Sequence, residues 1–198
     1  MKAFWDERYL TEEFVYGKKP NEFLAGCLDR LIPGKLLLPG EGEGRNAVHA
    51  ASNGWNVTAF DQSPVAVEKA RGWMKEAEIE FNYKVSDVLL FNFAKEEYDA
   101  VGLVFFHLPP LLRKQFHEMV ARTLKPGGYL IIEAFNKEQI RNGTGGPGNL
   151  EMLYNRQLIL DDFKGFRHEL LEETQVTLNE GHYHRGNADV LRYLGVKL

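Results

Sequence analysis

Three glycines at alternate positions connect an apolar run to a helix-like segment, in the stretch LLLPGEGEGRNAV at residues 36–48. Glycine adopts left-handed backbone conformations and allows another molecule to approach the main chain closely. Gly40, Gly42 and Gly44 therefore predict a ligand that rests against the backbone of this loop.

Dinucleotides and S-adenosylmethionine are both bound by loops of this kind, and the glycine spacing helps to separate them. A dinucleotide fingerprint is G-x-G-x-x-G, whose third glycine allows the helix and strand to pack closely. Counted from Gly40, that glycine would fall at position 45, which is Arg45. The observed G-x-G-x-G spacing favours a ligand that has no pyrophosphate.

Two acidic residues stand where the next strands are predicted to end. Asp61 ends the second predicted strand, and a carboxylate there can accept both ribose hydroxyls of either ligand. Asp87 ends the third, where a second acid can bind the adenine amino group, which an NAD site does not need. The two acids together with the glycine loop favour S-adenosylmethionine.

Strand and helix patterns alternate between residues 35 and 135. Ser63 followed by Pro64 is a strong helix-start signal, and Asn53-Gly54 is a typical helix end. The predicted strands are 35–39, 55–61, 79–87, 98–106 and 125–135, and the predicted helices are 45–54, 63–77 and 109–124. Such alternation predicts an α/β fold with a doubly wound parallel sheet, helices on both faces, and ligands at the carboxyl ends of the strands.

The chain is predicted to form a single domain, 1–198, in three parts. Residues 1–30 are expected to be helical and to lie as a lid over the open end of the sheet. Residues 35–135 form the cofactor-binding core. Residues 136–198 contain an acceptor-side loop (142–149), a helix (150–163) and two extended segments (167–180 and 186–197) that predict a closing antiparallel hairpin.

The amino-acid composition limits the classes of partner that this protein is expected to bind. The 198 residues carry a formal net charge of −4, which gives no general attraction to nucleic acid. The only cysteine excludes an internal disulfide, and no window reaches the ~18 apolar residues that cross a bilayer. We expect a cytoplasmic monomer or weak homodimer that acts on a small molecule, with neither nucleic acid nor membrane as partner.

No metal site is predicted. His182 and His184 flank Tyr183 and would share one side of a strand if this segment were extended, but no third ligand is obvious nearby. A position at the rim of a site, facing the substrate, or plain solvent exposure is a better interpretation of these histidines.

Five motifs together resemble those of the class I S-adenosylmethionine-dependent methyltransferases. They are LLLPGEGEGRNAV, VTAFDQSPVAVEKA, KVSDV, YDAVGLVFFHLPP and LKPGGYLIIEAF. Within the class, FWDERY, YGKKPNEFL and EGHYHRGNADVLRYLG are most similar to the small tellurite-resistance and thiopurine methyltransferase-like group. The resemblance implies a seven-stranded sheet in the order 3-2-1-4-5-7-6, with strand 7 antiparallel.

The resemblance also implies a cofactor site for S-adenosylmethionine. Its residues would be Gly40, Glu41, Gly42, Gly44, Asp61, Gln62, Asp87, Val88 and Phe105. The glycine loop would border the methionine portion, Asp61 would hold the ribose, the next three would frame the adenine, and Phe105 would lie beneath the sulfonium. Leu38 departs from the family, which often has an acid there, and this leaves open a non-catalytic S-adenosylmethionine- or S-adenosylhomocysteine-binding module.

Methyl transfer needs a general base only when the acceptor is protonated and weakly acidic. His107, just after the fourth strand, is the candidate base, although lining the pocket is the favoured interpretation. Leu108 and Leu111 replace the polar and aromatic ends of the N-P-P-Y signature of nucleobase and glutamine methyltransferases, so those substrates are disfavoured.

The sequence therefore predicts a methyltransferase for a small soft nucleophile such as a thiol, tellurite or selenite. The alternatives are the binding module and, less favoured, an NAD-dependent oxidoreductase. The acceptor itself is not predicted.

Overall fold

The computed structural model describes residues 2–198 and contains one seven-stranded sheet. Its strands are β1 (Lys35–Pro39), β2 (Asn56–Asp61), β3 (Asn82–Val85), β4 (Tyr98–Val104), β5 (Leu124–Phe135), β6 (Phe166–Asn179) and β7 (Arg185–Lys197). Their order is β3-β2-β1-β4-β5-β7-β6, with β1 to β5 parallel to one another and β7 antiparallel to both β5 and β6. The predicted fold class and strand order are confirmed.

Helices cover both faces of this sheet. They are α1 (Lys2–Tyr9), α2 (Glu22–Leu28), α3 (Arg45–Ser52), α4 (Pro64–Glu76), α5 (Pro110–Thr123) and α6 (Arg156–Asp162). Because parallel strands are covered on both sides, β1 is apolar throughout its centre: Leu37 packs into one core cluster, and Leu36 and Leu38 pack into the other. Within residues 2–198, no helix is long and apolar enough to cross a membrane.

Local signals set the helix starts. The Ser63 hydroxyl accepts the Ala66 N–H at the start of α4, with Pro64 in the first turn, as predicted. Gly44 precedes α3 in the left-handed conformation, at φ +88°.

Two predicted elements differ from the structure by more than two residues. The third strand covers only Asn82–Val85 of the predicted 79–87. The predicted helix 150–163 is a 3₁₀ turn, Leu150–Met152, followed by α6. Tyr154 interrupts it because its N–H donates to the Phe135 carbonyl of β5, and Asn155 then caps the new helix.

The segment around Val15, between α1 and α2, contacts the carboxyl edge of the sheet. The Val15 N–H donates to the Glu43 carboxylate in the loop after β1, 2.8 Å away. The Val15 carbonyl accepts the His182 N–H from the β6–β7 turn, 3.0 Å away. The N-terminal segment thus bridges the first loop and the last turn across the open end of the sheet.

Candidate functional site

A cavity of about 620 Å³ lies at the carboxyl ends of the parallel strands. Its walls come from α1, the loops after β1 to β4, the glycine-rich segment 143–148 and the β6–β7 turn. The sequence-predicted site residues that line it are Gly40, Glu41, Gly42, Asp61, Gln62, Asp87, Val88, Phe105 and His107. Four separate loops therefore bring these side chains and backbone groups to one space.

Gly44 is the exception, because it does not line the cavity. A Cβ at Gly44 would lie 3.0 Å from the Ala70 Cβ on α4, and φ is +88°. The geometry therefore assigns Gly44 to the close packing of α3 against α4 rather than to ligand contact, contrary to the expectation from sequence.

The other two glycines form a tight part of the wall. Gly40 and Gly42 have φ values of +61° and +65°. A Cβ would lie 2.3 Å from the Phe106 ring at Gly40 and 2.7 Å from the Tyr9 hydroxyl at Gly42. Any side chain here would strain the backbone and displace the wall.

Asp61 links the glycine loop to the end of β2. Its two carboxylate oxygens accept the N–H groups of Gly42 and Ser63, at 2.9 and 2.8 Å. Burial raises the pKa of Asp61 to about 6, although these hydrogen bonds lower it. Each oxygen has a second lone pair, so the carboxylate can still accept hydroxyl groups from the cavity.

The Glu41 carboxylate is directed to the start of α3, where it accepts the N–H groups of Asn46 and Ala47 at 2.7 and 2.8 Å. Burial raises the pKa of Glu41 to about 7, although the hydrogen bonds from Asn46 and Ala47 lower it. Leu38, which occupies the position of the expected acid, is buried in the core.

Arg45 explains why the sequence departs from the dinucleotide pattern. Its buried guanidinium lies 2.8 Å from the Glu180 carboxylate at the start of the β6–β7 turn. Burial raises the pKa of Glu180, but His184 and Arg45 together lower it to about 2, so the carboxylate is ionised. Arg45 therefore occupies the position at which a dinucleotide-binding fold has its third glycine, and its side chain extends to the β6–β7 turn.

Both ring nitrogens of His107 have partners in the protein. Nδ1 lies 2.9 Å from the Met152 carbonyl, and Nε2 accepts the Phe135 N–H at 3.3 Å. Burial lowers the pKa of His107 to about 4, although the hydrogen bond with the Met152 carbonyl raises it. The geometry leaves no free nitrogen to take a proton from an acceptor, so it opposes the candidate base role and agrees with the favoured pocket-lining interpretation.

We predict that His107→Ala lowers turnover by less than about tenfold, mostly through the acceptor KM. It should also lower the free energy of unfolding by about 1–3 kcal/mol, because a buried backbone N–H and a carbonyl lose their partner. Steady-state kinetics and thermal unfolding would measure the two effects. A thousandfold loss at saturating acceptor, with cofactor binding intact, would restore the base role.

His184 has the free nitrogen that His107 lacks. Its Nδ1 lies 3.4 Å from Glu180 Oε2, whereas Nε2 has no hydrogen-bonding partner among residues 2–198. Its ring lies 4.6 Å from both the Tyr16 and Phe105 rings, on the cavity wall. Burial lowers the pKa of His184, although the Glu180 carboxylate raises it. From sequence alone, a rim position, a substrate-facing position and solvent exposure were all open for His184; Glu180, four positions earlier, was the available signal for a buried histidine.

Phe105 adopts φ +49°, which is unusual for a residue other than glycine. Its N–H donates to the Glu133 carbonyl at 2.7 Å, and its ring stacks on Phe135 with centroids 4.5 Å apart. The chain after β4 is therefore turned sharply into the cavity wall.

The residues at this site fit S-adenosylmethionine. The acids Asp61 and Asp87 line the same cavity as Gly40 and Gly42. Carboxylates suit both the hydroxyl donors and the positive charge of this cofactor. Among the described residues, no group of three or more His, Cys, Asp or Glu side chains is placed to bind a metal ion.

Comparison with known proteins agrees with this geometry. Residues 37–128 match the family model described as "Methyltransferase domain". The chain is 30% identical over 121 residues to 2-methyl-6-phytyl-1,4-hydroquinone methyltransferase from Synechocystis sp., covering 59% of this chain and 37% of that protein. It is 32% identical over 118 residues to ubiquinone biosynthesis O-methyltransferase from Alkalilimnicola ehrlichii, covering 59% and 47%. The matched region thus spans less than half of each curated relative.

The fold is also that of TehB from Haemophilus influenzae, with a TM-score of 0.74 at 16% identity, covering all of this chain and 67% of that one. Residues 37–128 are therefore similar to a methyltransferase domain, and the seven-stranded sheet to which they contribute continues through the rest of the chain.

Proposed function

We propose that this chain transfers a methyl group from S-adenosylmethionine to a small-molecule acceptor within the cavity at the carboxyl edge. The observation that carries the proposal is that one cavity contains both the candidate cofactor residues of β1 to β3 and a second wall with a free imidazole. A module that only bound the cofactor would not need that second wall.

Charged side chains of both signs line the cavity. The loops after β2 and β3 contribute Asp61 and Asp87, whereas α1 contributes Arg8 and β7 begins with Arg185. We assign Asp61 and Asp87 to the cofactor, which when bound supplies a methyl group on a positively charged sulfur. The acceptor then lies beside the wall that contains His184, and the N-terminal segment across the opening excludes water.

His184 is the group that we propose takes a proton from the acceptor. Its ring lies 4.6 Å from Phe105, the residue expected beneath the sulfonium. With its pKa lowered by burial, the imidazole is neutral at neutral pH. If Nδ1 carries the hydrogen toward Glu180, the lone pair of Nε2 is available at the cavity.

Two acceptor classes are compatible with this arrangement. A soft anion such as a thiolate, tellurite or selenite needs no base, and the motifs that resemble the tellurite-resistance group support this class. A hydroxyl on an aromatic ring needs one, and the printed names of the two curated relatives, a hydroquinone methyltransferase and an O-methyltransferase, support this second class. Turnover against thiols, selenite, tellurite and phenols would distinguish them, and the absence of turnover on every class would favour the binding module.

Calorimetry with S-adenosylmethionine, S-adenosylhomocysteine and NAD tests the cofactor assignment. We expect the first two to bind and NAD not to bind, because Arg45 and Glu180 close the site where a dinucleotide fold has glycine. Tight binding of NAD would contradict the proposal.

Asp61→Ala is expected to weaken S-adenosylmethionine binding by about 1.5–3 kcal/mol, because two hydrogen bonds to a charged acceptor are lost. Asp99→Ala is a suitable control, because Asp99 does not line the cavity. Its carboxylate pairs with Lys125 at the opposite edge of the sheet. Unchanged affinity in a folded Asp61→Ala protein would remove Asp61 from the site.

A further inference from the structure

Behind the cavity wall, three polar contacts connect α6, α5 and the chain after β4. Asp162 Oδ2 lies 2.7 Å from His117 Nδ1, and His117 Nε2 lies 3.1 Å from the Tyr154 hydroxyl. That hydroxyl in turn lies 3.2 Å from the Phe106 carbonyl, to which it can donate. We call these groups the Tyr154 relay. Phe106 lines the cavity, whereas Asp162, His117 and Tyr154 do not.

The number of hydrogens decides whether all three contacts are hydrogen bonds. Tyr154 supplies one hydrogen and a neutral His117 supplies one more, while an ionised Asp162 supplies none. Three contacts need three hydrogens. The relay is therefore complete only when one additional proton is shared between His117 and Asp162.

When that proton leaves, the lost contact is one made by Tyr154. The His117–Asp162 contact is the shortest of the three and involves a charged acceptor, so it keeps the imidazole hydrogen. The single hydrogen of Tyr154 must then point either to His117 Nε2 or to the Phe106 carbonyl. When His117 and Asp162 hold the additional proton, the Tyr154 hydroxyl donates to the Phe106 carbonyl alone. When that proton is lost, His117 Nε2 competes with this carbonyl for the same hydrogen.

The charged and titratable groups around His117 are few. Arg113 on α5 places Nε 3.5 Å from Asp162, and the His107 ring lies 5.4 Å from Tyr154 with its pKa lowered to about 4 by burial. Burial lowers the pKa of His117, while Asp162 raises it and Arg113 lowers it. The additional proton is therefore lost as the pH rises through a value below the ordinary histidine range.

The position of Phe106 matters for the cavity. Its ring packs against the Gly40 backbone so closely that a Cβ there would lie 2.3 Å away. The preceding residue, Phe105, has the positive φ that turns the chain into the cavity wall. A hydrogen bond to the carbonyl between Phe106 and His107 opposes relaxation of this turn.

We infer that Tyr154 is a positioning residue, whose hydroxyl holds the Phe105–His107 wall against the bound cofactor when His117 and Asp162 share a proton. The inference rests on the proposed function for the cofactor, but the relay can be observed without ligand. A pH-dependent contact with the Phe106 carbonyl would then adjust cofactor affinity, although Asp162, His117 and Tyr154 do not line the cavity.

A first experiment measures the relay directly. In protein labelled with ¹³C at phenylalanine carbonyls, the Phe106 resonance should shift as the pH changes from about 5 to about 8. Tyr154→Phe should abolish that shift. Tyr193→Phe is the matched control, because Tyr193 is also fully buried with its hydroxyl 3.0 Å from a histidine, His168, yet it does not line the cavity or contact Phe106. It should leave the shift unchanged.

A second experiment measures S-adenosylhomocysteine binding by calorimetry. Relative to wild type, Tyr154→Phe should weaken binding roughly threefold to tenfold at about pH 5.5 and less than about twofold at about pH 8.5, the range expected for one hydrogen bond. Comparing variant with wild type at each pH cancels the titration of Asp61 and Glu41, which both proteins contain.

The outcomes separate the two hypotheses. If wild type fails to bind S-adenosylhomocysteine, the proposed function is wrong and the carbonyl titration alone decides on the relay. If wild type binds and Tyr154→Phe behaves as Tyr193→Phe does at both pH values, the positioning role is wrong. A Phe106 resonance that titrates equally in wild type and Tyr154→Phe would also contradict it.

Discussion

Gly42→Val is expected to abolish binding of S-adenosylmethionine while leaving the sheet folded. A Cβ at this position would lie 2.7 Å from the Tyr9 hydroxyl, and φ +65° disfavours a β-branched side chain. The valine would therefore enter the cavity, displace α1 and disturb the N–H that Asp61 accepts. Calorimetry would show no heat of binding at concentrations that saturate wild type, and circular dichroism would report the fold.

Gly127→Val separates backbone strain from the effect on the cavity. Gly127 also has a positive φ, +79°, but nothing lies within 4 Å of its Cβ position, and it belongs to the opposite edge of the sheet. It should lower stability without changing cofactor affinity. If Gly42→Val is folded and binds as wild type does, this loop is not the cofactor site.

His184→Gln is expected to lower kcat by roughly 10²- to 10⁴-fold with a phenolic acceptor, because glutamine cannot take a proton. The cofactor dissociation constant should change little. The loss should shrink as the pH rises and the acceptor ionises without help. With a thiol of low pKa the same substitution should lower kcat by less than about tenfold, since a thiolate needs no base.

His49→Gln is the control, because His49 lies on α3 outside the cavity and contacts Asn53. It should leave kcat unchanged with either acceptor. A small effect of His184→Gln with a phenol at every pH would mean that His184 only lines the cavity beside the acceptor. Rescue of the slow variant by added imidazole would support proton removal.

The fold was predictable because its signals are local or repetitive. The alternation of apolar runs with capped helices between 35 and 135 requires parallel strands, and the Ser63-Pro64 start is where the sequence indicated. The predicted helix 150–163 was wrong in part because its interruption is not local. Tyr154 is held by a carbonyl of β5, which no pattern within the segment reveals.

The sequence also determined which loops form the candidate site. Residues at the ends of parallel strands meet at one edge of a sheet whatever their separation in the chain, so Gly40, Asp61, Asp87 and Phe105 had to approach one another. Strand ends are marked by local composition, and the order of the strands follows from the resemblance of the motifs. These expectations needed no knowledge of side-chain partners.

Only the tertiary structure decided what each polar side chain does. His107 follows an apolar strand and His184 lies in the stretch EGHYHRG; from the sequence His107 was the candidate base, although pocket lining was the favoured interpretation. The Met152 carbonyl and the Phe135 N–H, distant in the chain, bind both nitrogens of His107, whereas Glu180 contacts one nitrogen of His184. The availability of a proton acceptor depends on hydrogen-bonding partners brought together by packing, and the order of residues along the chain does not encode those partners locally.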